Sequence, residues 1–155
     1  MKRFLVGYMA SGKSRYGRTL AAEEGVRFID LDKYIEEREH RTIQEIFRDE
    51  GEGVFRKLES RYLHEVCELF GDFILSCGGG TPCFNDNMEY MKTQGVTIFL
   101  NPSIDTIVKR LIRGKWKRHL VAKLNDDELR AYVEEHLAER LPFYSKAMEI
   151  VVNED

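Results

Sequence analysis

The segment GYMASGKS, at residues 7–14, limits the possible folds of this chain more than any other stretch of its sequence. It fits the pattern G-x-x-x-x-G-K-[ST] in full, follows an apolar strand-like run and opens a helical pattern. Its glycines allow a tight loop whose N–H groups point inward, and the start of a helix adds partial positive charge. An ordinary glycine turn is the alternative. We predict a site for a nucleoside triphosphate, made by Gly7, Met9, Ala10, Ser11, Gly12, Lys13, Ser14 and Arg15.

Short apolar runs alternate with amphipathic, charged segments along the whole chain. The runs at 4–8, 26–31, 72–77, 96–100 and 148–152 are predicted strands, because they are β-branched or aromatic and bounded by Gly, Asp or Pro. Helices are predicted over 13–24, 32–39, 42–49, 52–70, 86–93, 103–112 and 126–139. We therefore expect an α/β fold, a three-layer α/β/α sandwich around a five-stranded parallel sheet, with the ligand crevice at the carboxyl ends of the strands.

Length and charge exclude several classes of protein. A chain of 155 residues is expected to form a single domain, residues 1–155. The net charge of −3 gives no general attraction to nucleic acid or to anionic membranes, and no run approaches the ~20 apolar residues of a membrane span. Three cysteines cannot all pair within one chain, and no export signal is visible. These features favour a cytoplasmic protein that binds neither nucleic acid nor membrane.

Two aspartates follow the second predicted strand, in the segment FIDLDKYI. Strand alternation would point Asp30 and Asp32 to the same side. Two carboxylates held together need compensation, and Mg²⁺ is the natural cation beside a triphosphate. The second carboxylate could then orient or deprotonate an acceptor hydroxyl. The alternative is that Asp32 only caps a helix that starts at Lys33.

Two arginines and a glycine triplet complete the set of candidate residues. Arg56 offers a planar fork for a substrate carboxylate, or it pairs with Glu52 or Glu59 on its own helix. Arg140 has the same two interpretations, a ligand contact or a partner for the helix dipole. The triplet in SCGGGTPC, residues 76–83, would let a ligand approach bare backbone, or it forms a tight turn. Its two cysteines supply only half of a zinc site.

Taken together, these motifs resemble those of the shikimate kinase family. GYMASGKS, FIDLD, GEGVFRKLE, SCGGGTPC, RHLV and ERLPFYSKA occur in the order and rough spacing of that family, from Arg3 to about Val152. The resemblance implies transfer of the ATP γ-phosphate to the 3-hydroxyl of shikimate, with Mg²⁺, in aromatic amino acid biosynthesis. It also implies a mobile lid at about 113–126 and a substrate-binding helical region at about 32–61.

The resemblance assigns roles to individual positions. Ser14 and Asp30 would bind Mg²⁺, Asp30 through water, while Asp32, Lys13 and the lid residue Arg118 would be catalytic. Arg118 would also reach the ATP phosphates, and Arg110 or Arg113 the adenine. Shikimate would lie against Gly78, Gly79 and Gly80, with Arg56 and Arg140 on its carboxylate. Asp32 would bind its hydroxyls, and its pocket would be shaped by Ile43, Phe47, Phe55 and Glu59.

The chain departs from the family pattern in two places. The family motif R-P-L-L reads RHLV here, at residues 118–121, and losing proline leaves that loop less preorganised. Family members commonly continue past the last strand with a helix that helps enclose the adenine, whereas this chain stops at Asp155. A gluconate or nucleoside monophosphate kinase, or a catalytically weak ATP-binding regulatory module, remains as an alternative. A GTP-driven switch would need an N-K-x-D segment, which is absent. We expect a monomer.

Overall fold

Strands and helices alternate along residues 1–114 and 122–154, which are the residues that this computed structural model describes. The strands are β1 (Lys2–Val6), β2 (Arg27–Asp30), β3 (Phe73–Ser76), β4 (Val96–Leu100) and β5 (Glu149–Val151). The helices are α1 (Lys13–Glu24), α2 (Leu31–Glu39), α3 (Ile43–Leu69), α4 (Asn87–Gln94), α5 (Ile104–Arg113) and α6 (Asp126–Tyr144), with a 3₁₀ turn at Thr81–Cys83. The predicted α/β fold is confirmed.

The five strands form one parallel sheet in the order β2-β3-β1-β4-β5. Strand β3 lies between β1 and β2, and its last residue, Ser76, is in register with Leu5 and with Asp30. Because parallel strands end at the same edge, the segments that follow these three strands meet there. They are the phosphate loop (residues 7–14), the start of α2 and the glycine triplet (residues 78–80).

Both faces of the sheet are apolar, because each strand alternates its side chains between two cores. Phe4 and Val6 of β1 belong to the larger core, which also contains buried residues of α2 to α6. Leu5 belongs to a smaller core on the other face, together with Ala21 of α1. This three-layer arrangement keeps the sheet edge fixed beneath the segments that carry the polar side chains.

Polar residues at the predicted helix starts explain where several helices begin. Thr42 and Asn125 each form a capping box, in which the cap and the Glu three residues later exchange side-chain and backbone hydrogen bonds. Ser103 caps α5 through the N–H of Thr106. These local signals place the starts of α3, α5 and α6 within one residue of where the sequence pattern predicted them.

Three elements differ from their predicted bounds by more than one residue or by being joined. Strand β1 ends at Val6, so Gly7 and Tyr8 belong to the phosphate loop. The segments predicted as helices 42–49 and 52–70 form α3, which is interrupted at Gly51, where φ is 84°. Helix α6 runs five residues beyond the predicted end at 139 and includes Pro142. Fully buried Tyr144, whose ring centroid lies 5.1 Å from that of Phe99, holds this last turn.

Candidate active site

The phosphate loop joins β1 to α1 and leaves the start of that helix open. Gly12 is the N-cap with φ 91°, in the left-handed region, and no side chain caps the helix. The first-turn N–H groups of α1 can therefore point at an anion. Lys13 Nζ donates to the carbonyls of Gly7 at 2.7 Å and Tyr8 at 3.0 Å. The lysine thus lies folded over the loop that would hold the phosphates.

A cavity of about 300 Å³ brings the predicted groups together. It is lined by phosphate-loop residues and by residues that follow β2 and β3: Met9, Ala10, Ser11, Gly12, Lys13, Ser14, Arg15, Asp30, Asp32, Ser76, Cys77, Gly78 and Gly79. Ser14, Asp30 and Asp32 offer oxygen ligands beside the loop, the donor type that Mg²⁺ prefers. No cluster of three or more His, Cys, Asp or Glu side chains that could hold a metal occurs among the described residues. The oxygens of Ser14, Asp30 and Asp32 therefore fit an ion whose remaining ligands are phosphate oxygens and water.

The elements that carry the two aspartates differ from the prediction. Only Asp30 belongs to strand β2, while Asp32 lies in the first turn of α2, so strand alternation does not orient the pair. Asp30, not Asp32, caps the helix, and its Oδ1 accepts from the N–H of Lys33 at 3.2 Å. The capping alternative considered for Asp32 is therefore wrong. Both carboxylates nevertheless line the same cavity.

Asp32 has a strongly perturbed carboxyl group. Burial raises the pKa of Asp32 to about 6, the Asp30 and Glu59 carboxylates add to that rise, and Lys13 opposes it. A carboxylate whose pKa is near neutrality can accept a proton from a hydroxyl during a reaction. A bound cation would relieve the same repulsion.

Each glycine of the triplet faces a different charged side chain. A β-carbon built at Gly78 would lie 3.0 Å from Asp32 Oδ1. One at Gly79 would lie 2.7 Å from Arg140 Nη1, and one at Gly80 would lie 2.6 Å from Arg56 Nη2. Within residues 1–114 and 122–154, the N–H groups of the triplet donate to no protein acceptor. The triplet is therefore a floor of bare backbone beneath two guanidinium groups and a carboxylate.

Arg56 is held in place by its own helix and by two aromatic rings. Its guanidinium donates to Glu59 Oε1 at 3.0 Å and contacts Glu52 Oε2 at 3.2 Å, so the pairing that sequence left open is present. Glu59 is 1% exposed, and its other oxygen accepts from Thr81 Oγ1 at 2.8 Å. The guanidinium carbon of Arg56 lies 4.2 Å from the ring centroid of Phe84. These contacts fix the fork while it faces Gly80.

Phe47 and Phe55, predicted to shape the acceptor pocket, pack against each other with ring centroids 4.9 Å apart. Phe55 is buried and Phe47 is 37% exposed. The guanidinium carbon of Arg56 also lies 5.2 Å from the Phe55 centroid. The aromatic pair thus adjoins the arginine that faces the glycine floor.

A second cavity of about 670 Å³ continues from the other side of the phosphate loop. It shares Ala10, Gly12 and Arg15 with the first and is also lined by Tyr16, Thr19, Leu20, Glu23, Arg110, Arg113 and Asn153. Arg110 Nη1 donates to the Ala10 carbonyl at 3.1 Å, and Asn153 Nδ2 donates to the Ser11 carbonyl at 2.9 Å. Both predicted adenine-side arginines thus border one space next to the loop.

One predicted residue lies outside the described part of the chain, and three residues of the site have no prediction from the sequence. Arg118, with half of the lid predicted at 113–126, lies outside the described residues. Phe84, Thr81 and Tyr8 were not singled out from the sequence, although all three stand inside or beside quoted motifs. Phe84 directly follows SCGGGTPC, and this adjacency is the only sequence signal that could have suggested it.

Comparisons with known proteins establish the family of this chain. A family model described as shikimate kinase matches residues 9–155. The shikimate kinase of Phocaeicola vulgatus is 50% identical over 144 residues, covering 93% of this chain and 82% of that protein. The chain belongs to the shikimate kinase family. Members of this family are ATP-dependent kinases that phosphorylate a hydroxyl group of shikimate.

Solved structures of shikimate kinases superpose on nearly the whole chain. The enzyme from Bacteroides thetaiotaomicron has a TM-score of 0.93 at 45% identity, covering 98% of this chain and 86% of its own. The Acinetobacter baumannii enzyme in complex with shikimate has a TM-score of 0.84 at 30% identity, covering 99% and 84%. The P-loop kinase fold is therefore shared with these enzymes. Within the described residues, no helix is both long and apolar enough to span a bilayer.

Proposed function

We propose that this chain transfers the γ-phosphoryl group of ATP to the 3-hydroxyl of shikimate, giving shikimate 3-phosphate and ADP in the pathway to the aromatic amino acids. The glycine floor carries the proposal, because Asp32, Arg140 and Arg56 each face one of its glycines. Shikimate is a small ring with one carboxylate and three hydroxyls. Two cationic forks and one carboxylate around a bare backbone surface complement that pattern of charge.

Arg56 and Arg140 bind the shikimate carboxylate, and this sets the pose of the ring above Gly79 and Gly80. The N–H groups of the floor donate to the ligand. Phe55 and Phe47, with Ile43 nearby in sequence, border the apolar side of the ring, and Glu59 holds Arg56. The segment 32–61 thus acts as the substrate-binding region of a single kinase domain.

Asp32 lies between the floor and the phosphate loop and binds the hydroxyl that is phosphorylated. Its raised pKa suits it to align that hydroxyl and to take its proton as the phosphoryl group transfers. Phosphoryl transfer depends mainly on alignment and charge neutralisation. Lys13 turns from the loop carbonyls to the β- and γ-phosphates, and Arg118 neutralises charge from the lid, which excludes water when it closes.

The nucleotide lies across the phosphate loop, with its phosphates in the smaller cavity and its adenine in the larger one, beside Arg110. Ser14 and Asp30 would hold Mg²⁺, Asp30 through water, because both residues line the cavity that would take the phosphates. Bound there, the ion supplies positive charge to the phosphate oxygens. We expect the enzyme to act as a cytoplasmic monomer.

The experiment is a coupled assay of ADP release with ATP and Mg²⁺, run with and without shikimate. ADP release that requires shikimate supports the proposal. Release with gluconate or a nucleoside monophosphate instead would assign another acceptor, and ATP binding without acceptor-dependent release would make the chain a binding module. Lys13→Met should abolish release, whereas Lys57→Met, at an exposed position of α3, should leave it unchanged.

A further inference from the structure

One face of α6 carries four polar or aromatic residues at intervals of four: Tyr132, His136, Arg140 and Tyr144. Residues four apart lie above one another on a helix. Arg140 has a role in the proposed acceptor site, but its neighbours one turn before and one turn after have none. Both neighbours make hydrogen bonds to segments of the site.

The turn before Arg140 is tied to the phosphate loop. Tyr8 Oη lies 3.0 Å from His136 Nδ1, and the two rings meet edge to face with centroids 5.4 Å apart. Tyr8 is 1% exposed, so its hydroxyl needs a partner inside the protein. Burial raises the pKa of Tyr8, so the phenol keeps its proton. Burial and Arg140 lower the pKa of His136, which keeps the imidazole neutral and able to accept.

The turn after Arg140 is tied to the glycine floor. Tyr144 is fully buried, and its hydroxyl donates to the Gly79 carbonyl at 2.5 Å. Arg140 Nη1 lies above the same glycine, and the guanidinium carbon of Arg140 is 5.9 Å from the Tyr8 ring centroid. The Arg140 guanidinium therefore lies between two hydrogen bonds of α6: His136 bonds to the phosphate loop, and Tyr144 bonds to the glycine triplet.

We propose that Tyr8 and His136 are positioning residues for the acceptor: their hydrogen bond, with the Tyr144–Gly79 bond, holds the Arg140 guanidinium over Gly79, where the substrate carboxylate binds. This inference rests on the proposed function. It gives Tyr8, a residue of the phosphate loop, a part in the binding of shikimate. Tyr8 acts through its side chain, whereas its carbonyl accepts from Lys13 and is unaffected by a change of side chain.

The distinguishing experiment measures KM for shikimate and KM for ATP separately in Tyr8→Phe. Losing this partly buried hydrogen bond costs about 1 kcal/mol, so we expect KM for shikimate to rise about fivefold. KM for ATP should stay within about twofold of wild type. The matched control is Tyr90→Phe. Tyr90 belongs to a second Tyr–His pair, in which its ring stacks on that of His64 with centroids 3.6 Å apart, and this variant should change neither KM.

Two further variants separate positioning from simple loss of packing. His136→Asn keeps an oxygen acceptor for the Tyr8 hydroxyl and should retain near-normal KM for shikimate, whereas His136→Ala should match Tyr8→Phe. In an Arg140→Ala background, Tyr8→Phe should have no further effect, since the group it positions is gone. Thermal unfolding of each variant confirms that it is folded.

Three results would overturn the inference: equal rises in both constants, additive effects of Tyr8→Phe and Arg140→Ala, or failure of His136→Asn to restore KM for shikimate. These differ from failure of the proposed function itself. If Arg140→Ala left KM for shikimate unchanged, the acceptor site would be wrong, and with it any role of Tyr8 and His136 there.

Discussion

Replacing Asp32 with Asn should make the free protein more stable while it removes most of the activity. In the folded protein the pKa of Asp32 is about 6, against an ordinary value of 3.8. Above both pKa values, the charged Asp32 carboxylate lowers the free energy of unfolding by about 3 kcal/mol, because each pKa unit of difference corresponds to about 1.36 kcal/mol. Asparagine has nearly the same shape and no charge, so it removes this unfavourable contribution.

The change of this stability difference with pH follows from the number of protons that the folded and unfolded states bind. A raised folded pKa means that the folded state binds more protons than the unfolded state between about pH 4 and 6, so the wild type loses stability as pH rises through that range. The advantage of Asp32→Asn should therefore be about 3 kcal/mol at pH 7.5 and only about 1 kcal/mol at pH 4.5. At neutral pH this corresponds to a rise in Tm of about 6–12 °C for a chain of this size.

Urea unfolding at both pH values, with a chelator present, measures the two differences. The same variant should lose about 10²-fold or more in kcat, on the scale of general base catalysis. A variant that is no more stable than wild type at pH 7.5, or whose advantage is the same at both pH values, would show that the charge of Asp32 does not destabilise the fold. Near-normal kcat would refute the assignment of the base.

Other substitutions test the acceptor site from different directions. Arg56→Ala should raise KM for shikimate at least about tenfold, because a charged contact to the carboxylate is lost, and an unchanged KM in the coupled assay would place the carboxylate elsewhere. Gly80→Ala should also raise that KM, since its β-carbon would lie 2.6 Å from Arg56 Nη2. The control Gly53→Ala has no atom within 4 Å and should instead add about 0.5–1 kcal/mol of stability with KM unchanged. Glu59→Gln should lower the free energy of unfolding by about 1–3 kcal/mol, measured in urea, because Arg56 loses a buried charged partner; an unchanged value would contradict that pairing.

Much of the fold could be predicted because its signals are local. The phosphate loop, the apolar strands and the helix starts each depend on a few neighbouring residues, and their predicted bounds lie within a residue or two of those in the structure. Element ends set by tertiary contacts were harder. Helix α6 continues past Pro142 because Tyr144 is buried against Phe99, a contact between residues that are distant in sequence.

In the candidate site, too, local sequence predicts some features and tertiary contacts set the others. Motifs identified its members, but their pairing could not be derived from spacing: each glycine of residues 78–80 faces a side chain from a different helix. The sequence predicts that Asp30 and Asp32 point to the same side, and both line one cavity, but strand alternation is not the cause, because helix α2 carries Asp32. The Tyr8–His136 bond joins residues 128 positions apart and has no sequence signal.

A crystal structure with shikimate and ADP would show directly how the acceptor is bound. We expect the shikimate carboxylate to lie between the guanidinium groups of Arg56 and Arg140, with the ring on residues 78–80 and a hydroxyl at Asp32. Shikimate bound away from the glycine floor, or turned so that its carboxylate meets Asp32, would contradict this binding mode.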